Sequence, residues 1–346
     1  MQKKNYIAFI GTNSVRGSRG IYTVAIDGET LQAQVTSTQE AYNTGALVLS
    51  HSKKYLYAAS EGMTFMGKAS GGAMAYKIGE NGVLSYLGGT VTGGQRPCCM
   101  DISEKDDELY VANFFGQSLA MIPVNPDGSL QPMRLLVEEK RGLDGPMTGM
   151  HCVRTLADES AVGAIAVGPC RYIVYDRKTG VERSSFFFGE RLGPRHFITS
   201  ADGTMVYGFM QMPAEVHTIR VHEDGTMERL QIVPVIRPGH VGLCGGSELR
   251  MAPNGKLVIA ATRGADTLCV MRVLKDGTLE VSDFIRTPGQ TPRDIQISPD
   301  GRFVVSALQF SDEICVHEID YENATLHLRC SGVSIPSPAA VEIMEA

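Results

Sequence analysis

Arginine side chains beside strand-like segments are the first candidates for chemistry in this chain. Arg96, Arg195, Arg263 and Arg293 each stand where an apolar, β-rich run begins or ends. A guanidinium is a planar fork of five donors that stays charged at neutral pH, and it binds carboxylates and phosphates in a bidentate way. Several arginines that face one cavity would repel one another unless an anion binds between them. They therefore predict a pocket for a small anionic molecule.

His151 occupies the same kind of position, at the start of an apolar run that follows a long connection from Glu138 to Met150. An imidazole exchanges protons near neutral pH, so a histidine in an arginine-lined site is a candidate general acid–base. A structural role is the alternative for a lone histidine. Other histidines show no metal-ligand spacing, and we interpret these as surface or packing residues: His217, His222, His317 and His327.

Seven repeated segments would position these side chains. Each repeat has an apolar run, a polar break, a second alternating run, a glycine turn and a third run. The spacing of roughly 45 to 55 residues is typical of four-stranded propeller blades. Turns such as Asp300-Gly301 are hairpin signals, because glycine tolerates positive φ. We therefore predict an all-β fold, a seven-bladed β-propeller with four-stranded blades. The repeats begin with residues 6–10, 55–59, 109–113, 162–166, 206–209, 257–261 and 303–307.

The two ends of the chain predict how the fold closes. The chain starts on a second strand, residues 5–10, and finishes on a segment that is typical of a first strand, residues 338–343. The C-terminus should therefore supply the innermost strand of the blade that the N-terminus begins, which closes the ring and removes two open edges. No segment is left for a second domain, so residues 1–346 are predicted to form one domain. In the second complete repeat, the predicted strands are residues 98–103, 109–113, 118–124 and 130–138.

The antiparallel order of the strands decides which residues share a face. The Asp-Gly turns lie on one face and are predicted to be structural. The entrances to first strands and the exits of second strands lie on the other face, around one mouth of the channel, where a rigid scaffold usually carries function. The residues predicted there are Thr12, Asn13, Asn43, Glu61, Arg96, Asn113, His151, Arg195, Gln211, Glu248, Arg263, Arg293 and Gln309. Of these, the predicted substrate-binding residues are Glu61, Arg96, Asn113, Glu248, Arg293 and Gln309. The alternative for each arginine is a structural pair with a neighbouring carboxylate such as Glu61 or Glu248.

Composition limits the classes of function. The net charge of −6 gives no basic field for nucleic acid or a membrane surface. No apolar run has the length of a signal peptide or a membrane helix, so a cytoplasmic location is expected. The absence of tryptophan argues against a WD40 repeat and against a quinone-dependent redox propeller. The eight cysteines lack metal-ligand spacing and are predicted to be reduced, with no metal and no cofactor. No oligomeric state is predicted.

These segments resemble the propeller lactonase family, which includes propeller-type bacterial 6-phosphogluconolactonases and fungal carboxy-cis,cis-muconate cyclases. The resemblance spans nearly the whole chain, and its more specific parts are Gly193-Pro194-Arg195-His196 and Thr262-Arg263-Gly264. Other segments that carry it are residues 10–12, 20–22, 57–61, 110–113, 287–289, 292–293 and 298–301.

The resemblance implies an active site of a histidine, two arginines and a glutamate. The positions that match are His151, Arg195 and Arg263. The family glutamate falls on Gln211, the first member of a His-x-His pair falls on Gly149, and an Asp-rich turn is replaced by residues 167–170. A glutamine cannot exchange a proton as a glutamate does.

Hydrolysis of an anionic sugar-acid lactone without a metal, as by 6-phosphogluconolactonase, is the predicted function. Arg195 and Arg263 would bind the anionic group and stabilise the oxyanion, and His151 would activate water, oriented by Glu61 or Glu248. Gln211 would donate a hydrogen bond. A cyclase or isomerase acting on a muconate-like acid could use the same arginines. A propeller that binds a ligand or a protein without catalysis is the third interpretation.

Overall fold

The computed structural model describes residues 4–138, 149–157 and 159–346. β-Branched, aromatic and small apolar residues form the strands, and Gly, Asp and Asn turns separate them. Among the described residues, no helix has the length and apolar character of a membrane span. A 3-10 turn lies at Glu80–Gly82. The strands are β1 (Tyr6–Thr12), β2 (Gly20–Ile26), β3 (Ala33–Glu40), β4 (Ala46–Leu49), β5 (Tyr55–Ser60), β6 (Gly72–Ile78), β7 (Leu84–Val91), β8 (Pro97–Ile102), β9 (Glu108–Asn113), β10 (Ser118–Pro123), β11 (Arg134–Glu138), β12 (Met150–Thr155), β13 (Ala161–Ala166), β14 (Arg171–Asp176), β15 (Glu182–Phe187), β16 (Pro194–Thr199), β17 (Met205–Met210), β18 (Glu215–Val221), β19 (Met227–Pro234), β20 (Gly245–Met251), β21 (Leu257–Arg263), β22 (Thr267–Val273), β23 (Leu279–Arg286), β24 (Pro292–Ile297), β25 (Phe303–Leu308), β26 (Glu313–Asp320), β27 (Thr325–Ser334) and β28 (Pro338–Glu345).

These strands form seven antiparallel sheets of four strands each. In six of them the strands follow chain order, from β4–β7 to β24–β27. The seventh has the order β28-β1-β2-β3, and β28 pairs with β1 from Tyr6↔Glu345 to Thr12↔Pro338. The predicted four-stranded blades and the joining of the two chain ends in one blade are both confirmed.

The fourth strand of the second complete repeat differs from the prediction. The predicted strand began at residue 130, whereas β11 begins at Arg134. Leu130 makes only an isolated bridge with Val124, and Gln131 N donates to Pro123 O over 2.9 Å. The backbone groups of Leu130 and Gln131 therefore close the tight turn after β10. The regular hydrogen-bond ladder between β10 and β11 starts only at Arg134.

Two compact units divide the chain. The first contains residues up to Glu40, His196–Val221 and Glu228–Ala346, and it holds the sheets β28-β1-β2-β3, β16–β19, β20–β23 and β24–β27. The second contains Ala41–Arg195 and His222–Met227, and it holds the sheets β4–β7, β8–β11 and β12–β15. The boundary falls inside β16, directly after Arg195.

Each unit contains apolar clusters of buried residues, and the second strands of the sheets contribute to them. β1, β13, β17 and β25 are buried along their whole length, which is why they appear in the sequence as continuous apolar runs. In the first unit Tyr6 meets Phe303 edge to face, with ring centroids 4.8 Å apart. In the second, Tyr57 and Val111 share one cluster. Side chains on both faces of these strands thus pack against apolar neighbours.

The polar turns are held by their own side chains. Asp276 accepts hydrogen bonds from Thr278 Oγ1 at 2.6 Å and Thr278 N at 3.0 Å, and these bonds lower the pKa of Asp276. The glycine that follows, Gly277, has φ of +83°. This pattern supports the structural interpretation of the Asp-Gly turns.

All eight cysteines are free, and six are buried as small apolar residues.

Burial of His317 on β26 predicts a loss of stability in acid. The side chain is 1% exposed, and burial lowers the pKa of His317 from 6.5 to about 4. The unfolded chain binds this proton more readily, so the stabilising contribution is complete above pH 6.5 and is lost as the pH falls towards 4. One pH unit within this window corresponds to about 1.4 kcal/mol, so a drop of one and a half units should remove about 2 kcal/mol.

Urea unfolding between pH 7 and pH 5 measures this loss. A His317→Gln variant should lack the His317 part of the slope, whatever its stability at pH 7. His327→Gln is the matched control, because His327 lies on the adjacent strand β27 with a side chain 51% exposed, and it should keep the wild-type slope. Equal slopes in the wild type and in His317→Gln would show that the buried imidazole does not control acid stability.

Candidate active site

The first residues of β12 and β16 bring His151 and Arg195 into contact. Each is the second residue of its strand, and they are 9% and 5% exposed. Arg195 Nη1 donates to His151 Nε2. A guanidinium carries only donors, so this hydrogen bond requires an Nε2 that carries no proton. Two of the predicted catalytic residues therefore lie together.

An aromatic residue that sequence reasoning missed also packs against the His151 ring. Phe114 meets His151 edge to face, with centroids 5.6 Å apart. Phe114 follows β9 directly, and its N donates to Arg96 O over 2.9 Å. A bulky aromatic directly after a second strand was the available signal. The connection before His151 lies mostly outside the described residues, at 139–148.

Gly149 has a steric reason for its place beside His151. Its φ is +118°, and a Cβ there would lie 1.7 Å from Phe114 O. Gly149 O also accepts a hydrogen bond from Val167 N at 2.9 Å. The backbone of residue 149 thus passes so close to Phe114 that no side chain fits.

Glu61 supplies a buried carboxylate in the same unit. Its side chain is 7% exposed, and its Oε2 lies 3.8 Å from Arg96 Nη2. Oε1 has no hydrogen-bond partner among the described residues. Gly45 makes room for it, since a Cβ at Gly45 would lie 2.0 Å from Oε1. The distance to Arg96 is too long for a hydrogen bond, so the pair is electrostatic. Arg96 accordingly has the neighbouring carboxylate that a structural pairing requires.

Arg96 and Asn113 make packing contacts and hydrogen bonds with the neighbouring loops. The Arg96 guanidinium lies over the Phe115 ring, 4.9 Å from its centroid. Asn113 is buried, and its Nδ2 donates to Thr92 O at 3.0 Å and Ser118 Oγ at 3.1 Å. The amide nitrogen of Asn113 therefore holds the loop. Its role in substrate binding stays a prediction.

Arg263 and Arg293 form a cationic group in the first unit. Arg263 is the last residue of β21, and its Nη2 donates to Gly246 O at 3.0 Å while its buried Nε has no partner. Burial, and then the charge of Arg293, lower the pKa of Arg263 to about 10. Among the described residues, neither arginine forms an ion pair with a carboxylate. Two adjacent cations without a counter-charge favour an anion here.

Gln211 converges with Arg263 at a glycine. Gln211 Cγ and Arg263 Nη2 lie 3.7 and 3.6 Å from the place that a Cβ of Gly245 would occupy. Gly246 N also donates to Gln211 O over 3.0 Å. The predicted neighbours Gln211 and Arg263 are thus close, and the missing side chain at Gly245 leaves space between them.

Glu248 belongs to a buried ion network instead of pairing with the predicted arginines. Its Oε1 accepts from Arg250 Nη1 at 2.8 Å, and its Oε2 lies 3.3 Å from His196 Nδ1. Arg250 Nη2 lies 3.4 Å from Asp294 Oδ1, and Asp294 Oδ2 accepts from Val341 N at 2.8 Å. Burial raises the pKa of Asp294. Sequence reasoning missed this network, although charged residues at alternate positions of one strand, 248 and 250, are a signal for it.

Gln309 is buried directly after β25. Its backbone O accepts from Arg16 Nη1 at 3.0 Å, and its N donates to Thr291 O at 2.9 Å. Arg16 also covers the ring of Phe310, 5.1 Å from its centroid. The backbone of Gln309 is thus committed to structure, and a substrate role for its side chain stays a prediction.

Seven four-stranded sheets in meander order, with the C-terminal strand completing the first, define a seven-bladed β-propeller. Residues 7–343 match the family model described as "Lactonase, 7-bladed beta-propeller", and the chain belongs to this lactonase family. The family resemblance read from the sequence is confirmed.

Several relatives match along nearly the whole chain. A 6-phosphogluconolactonase of Bacillus subtilis is 26% identical over 350 residues, with 98% of each chain covered. A periplasmic gluconolactonase of Pseudomonas aeruginosa has a TM-score of 0.90 at 24% identity, over 98% of this chain and 99% of its own. A protein from Lactobacillus plantarum has a TM-score of 0.89, also at 24% identity, over 99% and 100%. The two structural likenesses show the fold.

Substitution of Gly149 should be much more damaging than an ordinary glycine replacement. Gly149→Ala combines a positive φ with the clash against Phe114 O, and we expect it to lower the free energy of unfolding by about 3 kcal/mol or more. The matched control is Gly203→Ala, where φ is +72° and no atom lies within 4 Å of the added Cβ. The control should lose only about 1 kcal/mol, the ordinary penalty of the left-handed conformation.

Urea unfolding of both variants measures the difference. Equal losses would mean that the backbone near Phe114 can shift away at little energetic expense, and that Gly149 does not fix the approach to His151.

Proposed function

We propose that this chain hydrolyses a sugar-acid lactone that carries an anionic group, with 6-phosphogluconolactone as the leading substrate. The observation that supports it most directly is the contact between Arg195 Nη1 and His151 Nε2. Membership of the lactonase family and the full-length match to a 6-phosphogluconolactonase support the same reaction class. The eight free cysteines fit a reducing cytoplasm, which stays our proposed location.

In the proposed mechanism an arriving anion draws the Arg195 guanidinium towards itself. His151 Nε2 is then released from its hydrogen bond and can take a proton from water as that water attacks the lactone carbonyl. Arg195 stabilises the negative charge on the carbonyl oxygen, which for one such donor is worth about 3 kcal/mol. The ring C–O bond then breaks, and the imidazolium returns its proton to the leaving alkoxide. The product is the open hydroxy acid, and all steps use side chains of this chain.

The second cationic group, Arg263 with Arg293, supports recognition of an anion in its own unit. Because Arg263 is buried without a carboxylate partner, its charge is destabilised by the loss of hydration and by repulsion from Arg293. A bound anion would relieve both. That Arg263 and Arg195 act on one substrate stays a prediction.

Hydrolysis of 6-phosphogluconolactone, followed as proton release in a pH-stat against spontaneous opening, tests the proposal. Arg195→Ala should lower kcat/KM by about 100-fold or more, and His151→Ala by roughly 10²–10⁴-fold. Arg183→Ala is the matched control, because Arg183 is exposed in the same unit and pairs with Asp176 at 2.6 Å, and it should keep the wild-type rate. Addition of a chelator should leave the rate unchanged.

Full turnover by Arg195→Ala would overturn the assignment of this site. A wild-type rate no higher than background would remove the sugar phosphate as substrate. It would then favour a muconate-like acid or a propeller that binds its ligand without catalysis.

A cyclase or isomerase acting on a carboxylated muconate-like acid is the second candidate, favoured by the two adjacent cations Arg263 and Arg293. Gln211→Glu separates the two reactions. In a lactonase the new carboxylate should pair with Arg263 and compete with the anionic substrate, which should raise KM about tenfold with little change in kcat. In a cyclase that needs proton exchange, kcat should rise.

Steady-state kinetics on the lactone and on a carboxylated muconate provide this comparison, with Gln211→Met as the uncharged control of similar size. A Gln211→Glu variant with unchanged KM and kcat on both substrates would place Arg263 and Gln211 outside the reacting site.

A further inference from the structure

A groove in the first unit lies beside the residues already described. It is formed by the connection between β19 and β20, the turn between β21 and β22, and the end of β23. Its volume is about 430 Å³, within the range of roughly 300–1,000 Å³ that small-molecule sites occupy. The side chains that give it chemical character are Arg237, His240, Asp266, Phe284 and Arg286.

The walls of this groove are fixed against one another. A Cβ at Gly264 would lie 2.2 Å from Leu243 O, so the turn packs directly on the connection. Thr287 N and Oγ1 donate to Asp266 O at 3.0 and 3.1 Å, which ties the end of β23 to the same turn. The turn between β21 and β22 is thus fixed against the end of β23 and against Leu243.

The cations of the groove lack counter-charges. Among the described residues, neither Arg237 nor Arg286, which are both exposed, forms a side-chain hydrogen bond or an ion pair. The imidazole of His240 has a buried Nε2 with no hydrogen-bond partner. The one acid, Asp266, uses its Oδ1 to accept from Thr291 N at 2.8 Å and Gly264 N at 3.2 Å. Its carboxylate thus holds the turn. In a chain of net charge −6, this is a local cationic site.

The chemistry of these groups selects a type of ligand. Two guanidinium forks offer donors to several oxygens of one anion, which suits a phosphate. Phe284 offers an apolar ring surface beside them. We propose that this groove is a second anion-binding site, which takes a small phosphomonoester whose organic part is flat or apolar and packs against Phe284.

This site is separate from the cationic group at the end of β21. Arg263 directs its Nη2 to Gly246 O and does not line the groove, although the next residue, Gly264, does. The proposal therefore does not rest on lactone hydrolysis. A phosphomonoester in the groove would be a ligand additional to the substrate of the proposed reaction.

Isothermal titration calorimetry of the full chain with phenyl phosphate, and with inorganic phosphate, tests the site. We expect the wild type to bind phenyl phosphate more tightly than phosphate. Arg237→Ala/Arg286→Ala should weaken phenyl phosphate by about 100-fold, roughly tenfold for each charge-assisted pair that is lost. Phe284→Leu should reduce the preference for phenyl phosphate over phosphate.

The matched control is Arg19→Ala/Arg329→Ala. Both arginines are exposed in the same unit, each pairs with a carboxylate, Glu40 or Glu318, and neither lines the groove. This control removes the same net charge and should leave binding unchanged. Equal weakening in both double variants would mean that only the overall charge matters, and would overturn the proposal. So would unchanged binding in Arg237→Ala/Arg286→Ala, or no binding by the wild type.

Discussion

The pairing of the last strand with the first is the constraint on which the first unit depends. A sheet that ended at β1 would expose a full row of backbone N–H and C=O groups, and β28 covers it through seven residue pairs. The same strand is held from its other side, where Val341 N donates to the buried carboxylate of Asp294. Asp294 follows Arg293 directly, so the bond that anchors the closing strand also fixes the backbone that presents a candidate anion-binding cation.

The sequence allowed the strands to be predicted where burial dictates composition. Second strands such as β13 and β25 lie between apolar layers on both faces, so their side chains are apolar without interruption and are easily recognised. Fourth strands are exposed on one side and have weaker patterns. The late start of β11 at Arg134 depends on how the preceding turn uses its backbone groups, which the pattern of side chains does not encode.

The sequence indicated which types of residue line the candidate site, but only some of the contacts between them. His151 and Arg195 could be placed together because each begins the first strand of consecutive sheets. The partner of Glu248 could not be predicted, because its choice of Arg250 and His196 depends on distances of a few ångströms between adjacent strands. The groove beside Gly264 was missed for a related reason. Its arginines lie at the end of a fourth strand and in a loop, outside the strand ends from which the site was predicted.

The contact of Arg195 with His151 gives a physical reason for linking recognition to chemistry. A guanidinium that donates to the basic nitrogen of the imidazole occupies the lone pair that a water molecule needs. A carboxylate or phosphate is a stronger acceptor than a neutral imidazole, because the hydrogen bond it receives is between opposite charges. In the proposed mechanism an anionic substrate would compete for the donor and free the imidazole, whereas a neutral substrate would leave the imidazole engaged. In that mechanism the substrate's charge would contribute to the reaction as well as to binding, as long as the anion is within reach of Arg195.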